Sequence, residues 1–168
     1  MKTVKNYLFI AALFFITIPA ISQENIANNT AGSSESYKNM SIVDGLYKAF
    51  AVGDIPTVLG GLDLNVVWNE AEGNAYADGN PYIGPDAVLN GVFARIGADH
   101  EYFNLKDIVL HEMSNGKVLA TLRYDAKHKN GNSYNAQVAH LWSLKDGKVV
   151  SFQQYVDTKK LSEAMNNK

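Results

Sequence analysis

From Tyr102 to Asp157 the chain alternates strand-like segments with hairpin punctuation, and this run limits what the rest can form. Tyr102–Met113, Lys117–Lys127, Ser133–Leu144 and Val149–Asp157 are rich in β-branched and aromatic residues. Asn115-Gly116, Asn130-Gly131 and Asp146-Gly147 stand between them, and such pairs accept the positive φ of tight turns. The pattern predicts a four-stranded antiparallel meander. A sheet of that size must bury one face, so the residues before it are expected to supply the cover.

They read as helices. Tyr37, Met40, Val43, Tyr47 and Phe50 recur every three or four residues and predict a helix from about Ser36 to Val52. Gly53 suits its C-terminal end. Asp54 caps a second, short helix with Pro56 in its first turn, running out at Gly60-Gly61. Leu64–Glu70 is strand-like and 71–81 is a polar, Gly-containing loop. Gly84-Pro85-Asp86 opens a third helix with Val88, Leu89, Val92, Phe93 and Ile96 on its buried side, and a last helix is expected over Lys159–Met165. The fold class is therefore α+β: an antiparallel sheet, curled into a cone, with helices packed on its concave face.

The N-terminus has a different character. Lys2 and Lys5 precede an apolar run from Tyr7 to Ile18, followed by Ala20-Ile21-Ser22. Basic, then apolar, then small-x-small is the order of a signal peptide. Residues 1–22 are read so, with export to the periplasm or medium expected and no stable membrane anchor after cleavage. Residues 23–36, polar and rich in Asn and Ser, read as a flexible tether, and 37–165 as the one folded domain. The chain of 168 residues has no cysteine, so its core alone must hold it. Loss of Lys2 and Lys5 takes the formal net charge from −2 to −4, and the remaining basic residues do not cluster, which argues against a nucleic-acid partner. His100, His111, His128 and His140 lack metal-ligand spacing; neither a metal nor another cofactor is expected.

Alternation assigns faces. With Asp146-Gly147 as a two-residue turn, His140 opposes Gln153 and Trp142 opposes Ser151. One face then carries His140, Trp142, Gln153, Tyr155 and Asp157, a mixture suited to a pocket wall. The other carries Ala139, Leu141, Val150, Phe152 and Val156, and fits a homodimer seam. With Asn130-Gly131 also taken as a two-residue turn, Arg123 and Asp125 join the pocket face, with Asp125 and Asp157 on strands about 10 Å apart.

The order of elements resembles the nuclear transport factor 2-like superfamily, also called SnoaL-like or ketosteroid isomerase-like. Ala49-Phe50 with Gly53-Asp54, Val66-Val67-Trp68, Tyr82-Ile83-Gly84, His140-Leu141-Trp142 and Tyr155-Val156-Asp157 carry the resemblance, over about 37–165. It implies a small-molecule pocket and, in some branches, acid–base catalysis without a cofactor. Arg123-Tyr124-Asp125 with Asp157 is similar to the site of limonene-epoxide hydrolases. That likeness implies Asp157 as the base that activates water, Asp125 as the acid and Arg123 as the bridge. Asn69 matches a water-holding residue of that family, while Val67 stands where it has Tyr. The likeness to SnoaL-type cyclases implies Asp157 as acid–base group with His140 beside it. Trp68 and Trp142 are read as walls favouring an apolar or cyclic ligand, together with Gln153 and Tyr155. Each residue also has a plainer reading: Asp157 as cap of the last helix, Arg123 and Asp125 as solvated edge charges, His140 as a hydrogen-bonded core residue. A non-catalytic carrier or dimerisation domain is the alternative function.

Overall fold

The computed structural model describes residues 38–165. The signal peptide read at 1–22 and the tether at 23–36 lie outside the described residues. Helix α1 covers residues 38–51 and buries Val43, Leu46 and Tyr47. Helix α2, Ile55–Gly60, starts on the Asp54 cap, whose Oδ1 accepts the Thr57 amide at 3.1 Å. Strand β1 is Leu62–Asn69. The 3-10 turn Ala75–Gly79 and the short strand β2, Tyr82–Ile83, follow.

The third helical stretch is continuous but not uniform. It runs through α3 (Pro85–Val88), a π turn (Leu89–Phe93) and α4 (Ala94–Asp99). The wide turn coincides with Gly91, whose bare Cα lies against the Tyr82 ring; a Cβ there would stand 2.0 Å from Tyr82 Cε1. Tyr82 is held in turn by its hydroxyl, which donates to the Tyr76 carbonyl at 2.7 Å. Four long strands come next: β3 (His100–Glu112), β4 (Lys117–His128), β5 (Ser133–Lys145) and β6 (Lys148–Val156). Helix α5, Thr158–Met165, closes the described chain.

One six-stranded sheet holds them in the order β2-β1-β6-β5-β4-β3. The meander is antiparallel as expected, and β1 adds to β6 in parallel, with Trp68 beside Phe152. The helices cover the concave face. Beneath them the core runs across Val66 and Trp68, Val118 to Ala126, Tyr134 to Leu144, and Val149 and Phe152.

Two registers depart from expectation by one residue, and a one-residue slip exchanges the faces of a strand. Asp146 and Gly147 both have positive φ, 51° and 78°, so that turn is the expected two-residue type with Lys145 opposite Lys148. A bulge follows: Leu144 pairs with Val149 but Ser143 with Ser151, and β6 carries the extra residue. Beyond it Trp142 opposes Phe152, and His140 opposes Gln154. At the other hairpin only Gly131 has positive φ, 94°, and the loop spans three residues between His128 and Asn132. His140 therefore opposes Ala120, and Arg123 opposes Gln137.

Candidate functional site

These two slips decide which predicted residues meet. His140, Trp142 and Trp68 are buried on the concave face. Gln153 and Tyr155 are not beside them: the bulge turns both to the convex face, where Tyr155 is 54% exposed. Phe152, expected on the convex face, is buried instead and stacks on Trp68 with ring centroids 3.7 Å apart. The three-residue loop likewise sends Arg123 and Asp125 outward. Arg123 hydrogen-bonds the Asn135 side chain through Nε, and Asp125 pairs with Asn135 across the strands. Asn69 alternates with buried Trp68 and lies beside Gln153 on the outer face. Asp157 caps α5: its Oδ1 accepts the Lys160 amide at 3.2 Å. The Arg123, Asp125 and Asp157 constellation is thus corrected, because the three do not converge in the hollow.

The hollow has its own polar set. It measures about 50 Å³ and is bounded mainly by Leu46, Phe50, Trp68, Phe93, Phe103 and Phe152. One water needs roughly 10–15 Å³, so about three to five would fit. Into the aromatic wall are set Tyr47 from α1, Tyr124 from β4, His140 from β5, Gln154 from β6 and Glu70 just past β1. His140 lies between two phenols: Tyr47 Oη is 2.8 Å from Nδ1 and Tyr124 Oη is 2.8 Å from Nε2. Trp142 Nε1 donates to Tyr47 Oη at 3.0 Å, and Gln154 Nε2 to Tyr124 Oη at 2.9 Å. The far side of Gln154 accepts from the Ala71 amide and from Asn74 Nδ2. Burial holds the imidazole far below its ordinary value, at about 3, so His140 is neutral at physiological pH.

Glu70 is 3% exposed. One carboxyl oxygen accepts from Trp68 Nε1 at 2.8 Å and the other from Asn74 Nδ2 at 2.9 Å. Neither bond brings a positive charge, and no ion pair is formed by Glu70 among the described residues. Burial therefore wins over the hydrogen bond from Trp68, pushing the carboxyl up to about 7. A carboxyl poised there can give or take a proton near neutrality. No metal cluster of His, Asp or Glu is present among the described residues.

Sequence reasoning missed Glu70, Tyr47, Tyr124 and Gln154 as site residues. Glu70 was within reach: Val66, Trp68 and Glu70 share one period-two phase, and a carboxylate in phase with two buried apolar residues is a signal. Tyr124 and Gln154 required the two registers, which the three-residue loop and the bulge set.

Comparison with solved structures places this architecture. A nuclear transport factor 2-like protein from Burkholderia thailandensis superposes with a TM-score of 0.71 at 27% identity, over 77% of this chain and 98% of that one. The chain has the nuclear transport factor 2-like, or SnoaL-like, fold. Other structural neighbours include TerC, co-crystallised with polyporic acid, with a TM-score of 0.69 at 21% identity over 77% of this chain and 99% of that one. A proposed polyketide cyclase from Xanthomonas campestris pv. campestris matches with a TM-score of 0.68 at 20% identity over 79% of this chain and 99% of that one. No family model matches this chain, and no curated protein matches it in sequence.

Proposed function

We propose that the protein binds a small, largely apolar, ring-bearing molecule in the hollow and acts on it by acid–base chemistry without a cofactor, with Glu70 as the proton-transferring group. One observation carries this reading: a carboxyl that lines an aromatic hollow, is buried without a cation and is poised near pH 7. Desolvation raises a carboxyl's affinity for a proton, and a base of pKa near the working pH is the efficient one. Neighbours of the same fold, one described as a proposed polyketide cyclase and one co-crystallised with polyporic acid, support the ligand class.

Native mass spectrometry of purified protein, read for a small molecule carried through, supplies the compound to test. With it, Glu70→Gln is expected to keep the added mass and lose turnover. Turnover at the wild-type rate in Glu70→Gln would remove Glu70 from the chemistry.

The reading also places the protein outside the cytoplasm, on the strength of the basic, apolar and small-residue order of 1–22. An intact mass for secreted protein beginning at Gln23 tests it. A second reading, a homodimer through the convex face, draws on the uncharged rows described in the Discussion and is compatible with either a carrier or an enzyme.

A further inference from the structure

Counting hydrogens in the Tyr47, His140 and Tyr124 chain leaves one over. Trp142 Nε1 is a donor only, so Tyr47 Oη must accept from it. The Gln154 amide is oriented by the Ala71 backbone N–H, which can only donate to Oε1. Gln154 Nε2 therefore faces Tyr124, and Tyr124 Oη accepts from it. Both phenol oxygens thus receive one fixed N–H. Two contacts remain, one on each side of His140. Three hydrogens compete for them: two phenol O–H and the single N–H of a neutral imidazole.

Each contact holds one hydrogen. If Tyr47 donates to Nδ1, then Nε2–H donates to Tyr124 and the Tyr124 hydrogen is left over. If Tyr124 donates to Nε2, then Nδ1–H donates to Tyr47 and the Tyr47 hydrogen is left over. No other acceptor is within reach of either phenol among the described residues. Both rings line the hollow. A buried hydroxyl without an acceptor costs on the order of 1–3 kcal/mol, which an occupant offering an oxygen would relieve.

We propose that Tyr47, His140 and Tyr124 form a two-position hydrogen relay, and that the hollow selects a ligand bearing a neutral acceptor oxygen of carbonyl type, which takes the hydrogen the relay cannot place. This rests on the reading of the hollow as a ligand site and adds the group the ligand must carry. The imidazole selects the donor: with Nε2 protonated the hydrogen is offered at Tyr124, with Nδ1 protonated at Tyr47. The two arrangements differ by the imidazole tautomer, Nε2–H in one and Nδ1–H in the other, and by a rotation of each phenol O–H; each phenol keeps its own hydrogen, and every group is neutral in both. Ionised Glu70, whose charge is felt at Tyr124, draws the hydrogens toward the Tyr124 end.

The test uses cyclopentanone as probe and cyclopentane, the same ring without oxygen, as its control. Cyclopentanone is expected to bind more tightly than cyclopentane, with its carbonyl stretch moved to lower frequency than in an apolar solvent. The shift is expected to shrink in Tyr47→Phe or in Tyr124→Phe. A bound carbonyl at its apolar-solvent frequency, or a shift unchanged in both variants, overturns the assignment and leaves the ligand-site reading standing. Binding of neither ring overturns the ligand-site reading and this assignment with it. Where a Phe variant fails to fold, nitrogen NMR of His140 in the wild-type protein decides. One protonated ring nitrogen at pH 6 supports the relay, and two overturn it, because the count then leaves a hydrogen on each phenol.

Discussion

Glu70 and His140 are both kept from water, and they respond to it in opposite directions. Burial raises the carboxyl from 4.5 to about 7 and lowers the imidazole from 6.5 to about 3. For Glu70 the folded state holds its proton more tightly than the unfolded state. Its contribution to stability is full below pH 4.5 and is lost as pH rises toward 7. For His140 the folded state holds its proton less tightly. Its contribution is full above pH 6.5 and is lost as pH falls toward 3. The two partly cancel between pH 4.5 and 6.5, so a stability profile of the wild-type protein alone would hide both. The difference between wild type and Glu70→Gln isolates the carboxyl. As pH rises from about 4.5 to 7, denaturant unfolding is expected to show the Gln variant gaining on wild type by about 3 kcal/mol. A difference that stays flat over that window would mean that Glu70 titrates normally. Asp157 gives the contrasting case. Its carboxylate holds the first turn of α5, so Asp157→Ala is expected to cost about 1 kcal/mol in unfolding and to leave ligand binding intact. Turnover lost at constant stability would restore it to the chemistry.

Among the elements, the segment from Tyr82 to Asp99 aims Val92, Phe93 and Ile96 at the hollow, as many side chains as α1 does. The π turn carries Val92 and Phe93 inward, and Phe93 meets Trp68 edge to face with centroids 5.6 Å apart. Tyr82 is wedged against Gly91 and Gly79, so the turn has no room for a methyl group. Gly91→Ala is expected to destabilise by roughly 1–3 kcal/mol, as overpacking does, and to weaken cyclopentanone binding by displacing Phe93. Urea unfolding with fluorescence of Trp68 and Trp142 measures both effects; unchanged stability would show that Tyr82 yields. Elements of this kind also show where sequence reading stops. Helix α2 was legible because Asp54 and Pro56 act locally, and the β5–β6 turn because Asp146 and Gly147 do. His140 and Trp142 were placed correctly because β5 is regular from its turn inward. The bulge beyond Ser143 has no local signature: Val150 is an ordinary strand residue, and the slip arises where β6 must serve β5 and β1 at once. The Asn130-Gly131 loop was misread because the same dipeptide serves two loop lengths, and the backbone of Asn130 decides between them. Half of the candidate site followed those two registers to the wrong face.

For the whole molecule, the sheet separates two surfaces that the same strands write alternately. Inside, β5 contributes His140 and Trp142; outside, it contributes Ala139 and Leu141. Cross-strand pairing lines up Val109, Thr121, Ala139 and Tyr155 in one outer row, and His111, Leu119, Leu141, Gln153 and Asn69 in the next. Neither row carries an Asp, Glu, Lys or Arg; charge returns in the flanking rows, through Lys106 and Arg123 on one side and Lys117 on the other. Val109 at 52% and Tyr155 at 54% exposure are large apolar groups left to solvent at opposite ends of the first row. An uncharged band flanked by charged residues is compatible with the proposed cover by another copy. A two-fold contact would repeat each row against itself, so one substitution enters the interface twice. Tyr155→Lys with Val109→Lys is therefore expected to convert a dimer at micromolar concentration into a monomer in sedimentation velocity. The hollow lies on the opposite face and shares no side chain with these rows, so tryptophan fluorescence and the His140 ring-nitrogen spectrum are expected to stay as in wild type. A wild-type protein that sediments as a monomer at the same concentration would leave the convex face to some other role. A variant that changes both association state and His140 would mean that the sheet couples its two faces.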